Sequence, residues 1–140
     1  MKHLKLYERF DENDPFGEEI KYTKSTFLSW LIKRYPDDTW NKIKKISCSY
    51  KQLTSLEGIE NLVNLEWLYC DGNQLTDLKG MEKLTNLKYL YCSGNQLNSI
   101  EGIENLDNLE KLYCHNNHFT IEYKNYLKNY CKKNKICLHI

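Results

Sequence analysis

The strongest constraint on this chain is an internal period. Three consecutive blocks, 53–74, 75–96 and 97–118, align without a gap, and the first is identical to each of the others at well over half of its positions. Near-identical segments fold into near-identical units, so the period decides the architecture before any local reading. Six apolar columns run through the blocks: Leu53/Leu75/Leu97, Leu56/Leu78/Ile100, Ile59/Met81/Ile103, Leu62/Leu84/Leu106, Leu65/Leu87/Leu109 and Leu68/Leu90/Leu112. Glycine (Gly58, Gly80, Gly102), cysteine (Cys70, Cys92, Cys114) and asparagine (Asn73, Asn95, Asn117) form three further columns. One unit cannot bury its own apolar edge, so the units must stack, with successive strands about 4.8 Å apart.

Within a unit the period changes. Around Leu68 and Cys70 apolar residues alternate with polar or aromatic ones, which predicts a strand with one buried face. From Ile59 to Leu68 the spacing becomes three, which suits a tight 3₁₀ return on the opposite side. The Asn column falls where the chain leaves the strand, and its amides are expected to satisfy backbone groups there as a ladder.

Written linearly, Leu65-x-x-Leu68-x-Cys70-x-x-Asn73-x-Leu75 resembles the leucine-rich repeat family, in its short 22-residue class similar to internalins and phosphatase regulatory subunits. The resemblance covers about 53–118. It implies an α/β solenoid, a short right-handed superhelix with parallel strands on the concave face and helical caps at both ends. The Cys-for-Leu column and the Asn/Lys/Tyr-rich style also resemble repeat proteins of giant DNA viruses, a bias that an AT-rich genome alone would give.

The flanks depart from the period as terminal units of a solenoid should. Trp40, Ile43, Ile46 and Cys48 lie one full period before Leu62, Leu65, Leu68 and Cys70, so a degenerate coil begins near 37, with Lys51 in place of the Asn. Phe27, Trp30, Leu31 and Ile32 predict a helix over 26–35 ending before Pro36, and Asp11–Gly17 reads as a turn. Downstream, Thr120 is placed to cap a helix through about Lys132, with Tyr123, Tyr126, Leu127, Tyr130 and Cys131 as its apolar stripe. Ile136, Leu138 and Ile140 then alternate as a last strand. The expected organisation is an N-terminal cap over 1–36, an array of one degenerate and three full repeats over 37–118, and a C-terminal cap over 119–140. With both ends covered, the molecule is expected to be complete.

Alternation also sorts the strand residues. With Leu68 and Cys70 inward, Trp67, Tyr69 and Asp71 point out; the next coils offer Tyr89, Tyr91 and Ser93, then Lys111, Tyr113 and His115. The flanking strands add Lys45 on one side, and Lys135, Cys137 and His139 on the other. Aromatics at this density suit a partner surface, since Trp and Tyr dominate interface hot spots. They also suit cross-strand stacking for stability alone. We expect Trp67, Tyr69, Tyr89, Tyr91 and Tyr113 to anchor a protein partner, with Lys45, Asp71, Lys111 and His115 steering it; the alternative is a structural or self-associating repeat protein.

Other classes find little support. Twenty Lys+Arg against nineteen Asp+Glu leave a net charge of +1, which argues against a nucleic-acid partner. No apolar run approaches the roughly 18 residues of a membrane span. No apolar leader follows Met1, so the expected setting is the cytoplasm (the host cell's, if viral), with six reduced cysteines and a monomeric chain. Cys48, Cys70, Cys92 and Cys114 recur once per repeat but make no short C-x₂₋₄-C pair, so they read as small core hydrophobes and not as zinc ligands. His115 beside His139 could share a metal or phosphate but lacks a third ligand. Phosphate-cradle, nucleophile-elbow and zincin motifs are missing, so no enzyme activity, metal or cofactor is expected.

Overall fold

The computed structural model describes residues 26–35 and 37–140. Asp11–Gly17 therefore lies outside the described residues. Five three-residue strands form one parallel sheet in sequence order: β1 (Lys45–Ser47), β2 (Trp67–Tyr69), β3 (Tyr89–Tyr91), β4 (Lys111–Tyr113) and β5 (Cys137–His139). The register is set by the period, with Ile46 opposite Leu68, Leu68 opposite Leu90 and Leu90 opposite Leu112.

Every apolar column predicted to face inward is buried. Leu53, Leu62, Leu65, Leu68, Cys70 and their counterparts in the next coil are fully covered, as is Met81 in the Ile column. Short 3₁₀ turns at Ile59–Asn61, Met81–Lys83 and Ile103–Asn105 carry the chain back behind the sheet. Each is entered through a left-handed glycine: Gly58, Gly80 and Gly102 have φ of +98°, +92° and +85°. A side chain is strained in that region, which explains why the column contains nothing but glycine.

Two asparagine ladders pin the coils together. Asn95 Oδ1 accepts from Leu75 N–H at 3.1 Å, and its Nδ2 donates to the Cys70 and Cys92 carbonyls at 3.0 Å each. Asn73 and Asn117 repeat the pattern one coil either side. The degenerate coil has Lys51 instead, and Asn73 of the following coil takes the Lys51 N–H as a further donor at 2.9 Å. On the return side Asn64, Asn86 and Asn108 each donate to a carbonyl of the preceding coil, those of Asn41, Val63 and Thr85.

Helix α1 (Phe27–Arg34) starts at Thr26, whose Oγ1 accepts from Ser29 N–H, and it buries Phe27 and Leu31 in the core. Its Leu28 packs where a Cβ on Gly58 would otherwise stand. Helix α2 (Ile121–Lys133) is capped by Thr120 and buries Leu127 and Cys131. Tyr126, expected in the apolar stripe, is 39% exposed and donates its hydroxyl to Glu104. The phenol finds a carboxylate at the rim and has no reason to enter the core. No helix among the described residues is long and apolar enough to cross a membrane.

Candidate functional site

Parallel stacking turns one outward residue per strand into a row. Trp67, Tyr69, Tyr89, Tyr91 and Tyr113 are all half-buried on the face opposite the core, while Lys111 and His115 are exposed and Asp71 half-buried beside them. Tyr69, Tyr91 and Tyr113 stack at 4.4 and 4.5 Å with planes within 13° of parallel, and His139 continues the stack on Tyr113 at 4.0 Å. Trp67 and Tyr89 form a second stack at 5.5 Å. Lys45 Nζ lies 5.1 Å from the Tyr69 ring centre and closes that end of the ladder; Lys111 Nζ lies 6.0 Å from Tyr89.

This geometry decides what the face offers. Ring faces are spent on one another, so the sheet presents ring edges to solvent. A nucleic-acid base needs a free aromatic face to stack on. Within the Tyr69–Tyr91–Tyr113–His139 stack, Tyr91 and Tyr113 have both faces covered by neighbouring rings.

Charge on the neighbouring row is internally matched. Glu66 takes Lys44 at 3.0 Å and Lys88 at 2.9 Å, and the Lys88 and Lys44 ammonium groups hold its carboxyl below the usual range. Tyr89 donates its hydroxyl to Glu110 at 2.9 Å, which pushes the Tyr89 phenol up. On the third row Asp71 Oδ1 accepts from Ser93 N–H at 2.9 Å, and Ser93 Oγ meets His115 Nδ1 at 3.0 Å. Ser93 is therefore buried although it belongs to the outward set.

The imidazoles do not meet as expected. His139 lies opposite Tyr113, not His115. The array advances by one fixed period per coil, but α2 and the left-handed Lys135 that follows it lengthen the last step, so Cys137 aligns with Lys111. No group of three or more potential metal ligands occurs among the described residues. The column cysteines are buried, and desolvation pushes the Cys48 and Cys114 thiols up to about 12 and those of Cys70 and Cys92 well above the ordinary value. A thiol so raised is a poor nucleophile and a poor metal ligand at neutral pH.

Sequence reasoning missed one part of the site. Where the chain turns out of the strand, position 50/72/94/116 holds Tyr50, Gly72, Gly94 and Asn116, all left-handed, with φ between +54° and +66°. The signal was present as a second glycine column at the spacing of the repeat. These residues line a groove of about 330 Å³ together with Asp71, Tyr91, Ser93, Tyr113 and His115.

Comparison with known proteins agrees with this architecture. The sequence profile for Leucine Rich repeats (2 copies) matches residues 63–105 and 85–125. The solenoid is a leucine-rich repeat array. Among solved structures, a leucine-rich repeat protein of Leptospira interrogans superposes with a TM-score of 0.66 at 27% identity, covering 76% of this chain and 28% of that one. The internalin InlF of Listeria monocytogenes gives 0.65 at 28% identity, covering 81% and 34%. The functional domain of InlJ from the same organism, described as including a cysteine ladder, gives 0.56 at 31% identity over 60% and 18%. The chain thus spans about a third or less of the length of these leucine-rich repeat structures. A search of curated proteins by sequence finds no match.

Proposed function

We propose that this leucine-rich repeat array is a non-enzymatic binding module that engages a protein partner through the aromatic face of its sheet. The observation that carries the reading is the pair of parallel stacks, Tyr69–Tyr91–Tyr113–His139 and Trp67–Tyr89, held in fixed register by five paired strands. Side chains already ordered by stacking lose little entropy on association, so a partner gains contact area at low cost. Trp67, Tyr69, Tyr89, Tyr91 and Tyr113 supply the anchors. Lys111, over Tyr89, and Asp71 and His115, at the far edge, set orientation. The same reading has the chain acting as a monomer in the cytoplasm.

A structural reading draws on the same stacks, because rings that cover one another stabilise the sheet without any ligand. Paired substitutions separate the two. Tyr69→Phe with Tyr91→Phe keeps both rings stacked and removes only the outer hydroxyls. We expect partner capture from the native cell to fall while the urea midpoint holds. Unchanged capture by this variant and by Tyr91→Ala, with only stability lowered in the latter, would assign the ladder to structure alone. Sedimentation velocity over a concentration series tests the monomer, and a mass rising with concentration would favour self-association.

A further inference from the structure

The groove at the turn column is built differently from the repeat around it. Its floor is Gly72 and Gly94, which carry no side chains, and its ends are Tyr50 and Asn116, which do. A tyrosine is rarely tolerated in the left-handed region, yet Tyr50 adopts φ +58° and remains 78% exposed. Its ring lies over Gly72, so close that a Cβ there would stand 2.2 Å from the ring. Tyr91 and Tyr113 line the groove from the strand side.

The polar groups inside it have a definite sign. Gly72 N–H and Gly94 N–H are already spent on the Ser93 and His115 carbonyls, and Ser93 N–H on Asp71. The floor therefore has no free amide among these three to offer an anion. Asp71 is the only carboxylate lining the groove, and among the described residues no ion pair reaches it. A carboxylate offers about four lone-pair positions, and Ser93 occupies one. The Tyr50 ring adds a largely open π surface. A guanidinium matches this set: it is flat enough to lie on Gly94, where a Cβ would meet no atom closer than 3.5 Å, beside the Tyr50 ring that covers Gly72. It stacks on an aromatic ring and donates in a fork to a carboxylate.

We propose that the groove between Tyr50 and Asn116 receives an arginine side chain of the protein partner, with the guanidinium on Asp71 and against the Tyr50 ring. This rests on the binding reading above and names one chemical feature of the partner. The test uses the full chain and N-acetyl-arginine amide as the probe, followed by proton–nitrogen NMR. A probe of this size on an open groove is expected to saturate in about the millimolar range, with shifts centred on the Tyr50, Gly72, Gly94 and Asn116 amides. Asp71→Asn keeps an acceptor for Ser93 N–H while removing the charge, and it should weaken the probe about tenfold. The neutral citrulline analogue should not saturate. Equal affinity in Asp71→Asn, equal binding of the citrulline or N-acetyl-glutamate amide, or shifts elsewhere would each overturn the assignment. Because the probe involves no partner, its failure leaves the face reading to the Phe variants, and its success would survive their failure.

Discussion

The asparagine ladder allows a prediction that simple repetition does not. If every repeat were equivalent, replacing Asn73 or Asn95 by Ala would cost the same. The bonding says otherwise. The Cys70 carbonyl accepts from both Asn73 and Asn95, and the Cys92 carbonyl from both Asn95 and Asn117. Asn95→Ala therefore leaves each carbonyl one remaining asparagine partner and orphans a single donor, Leu75 N–H. A buried unpaired donor costs about 1–3 kcal/mol. Asn73→Ala removes the side-chain acceptor of two donors, Lys51 N–H and Leu53 N–H, and also the ladder contact to the Cys48 carbonyl. Lys51 N–H is partly open, so water recovers some of its loss. The expected excess for Asn73→Ala over Asn95→Ala is about 1–2 kcal/mol. Urea unfolding of both variants, with equal m-values to secure a two-state comparison, measures it. Equal losses, or a greater loss for Asn95→Ala, would refute the claim that shared carbonyls protect the middle of the ladder.

Further outcomes follow from glycine geometry and thiol burial. Gly94→Ala should cost about 1 kcal/mol, from left-handed backbone alone, since its new Cβ would have no neighbour closer than 3.5 Å. Gly102→Ala should cost more, about 2–3 kcal/mol, because its Cβ would stand 2.7 Å from that of Glu82; urea unfolding ranks the pair. Alkylation of the native protein followed by peptide mass spectrometry should modify Cys137 first, as the other five cysteines are buried. The buried thiols also fix an alkaline limit. Their folded pKa values are raised above 9.0, to about 12 for Cys48 and Cys114, so the folded state holds protons that the unfolded chain releases. Stability is thus intact below pH 9 and falls between pH 9 and 12, by about 1.4 kcal/mol per pH unit for each such thiol. Cys48→Ala should make the decline in the urea midpoint shallower over that range, and an unchanged slope would contradict the burial argument.

Most of the array was legible because a repeat reports its own geometry. Leu68 and Cys70 inward with Trp67 and Tyr69 outward follows from alternation, and the glycine and asparagine columns follow from where the chain must turn. What the period does not control was harder to read. The step from β4 to β5 passes through α2, so its length is set by helix packing, and His139 ended on Tyr113 instead of beside His115. Ser93 looked like a surface residue by alternation, yet the Asp71 and His115 side chains of adjacent coils cover it. Such pairings join residues one period apart whose types differ between coils, and a column of unlike residues carries no visible signal. Tyr50 was overlooked for a related reason: its column contains glycine only in the two central coils, so its left-handed backbone showed up only in the structure.

The most direct test of the account compares two sides of one molecule. A face variant, Trp67→Ser with Tyr91→Ser, and a back variant, Val63→Ser with Lys83→Ser, are each verified as folded by circular dichroism and used in quantitative affinity capture. Val63 and Lys83 are exposed on the return side, so their loss leaves the ladder intact. The account predicts that proteins captured by the natural chain disappear with the face variant and persist with the back variant. Persistence with the face variant, or loss confined to the back variant, would contradict it.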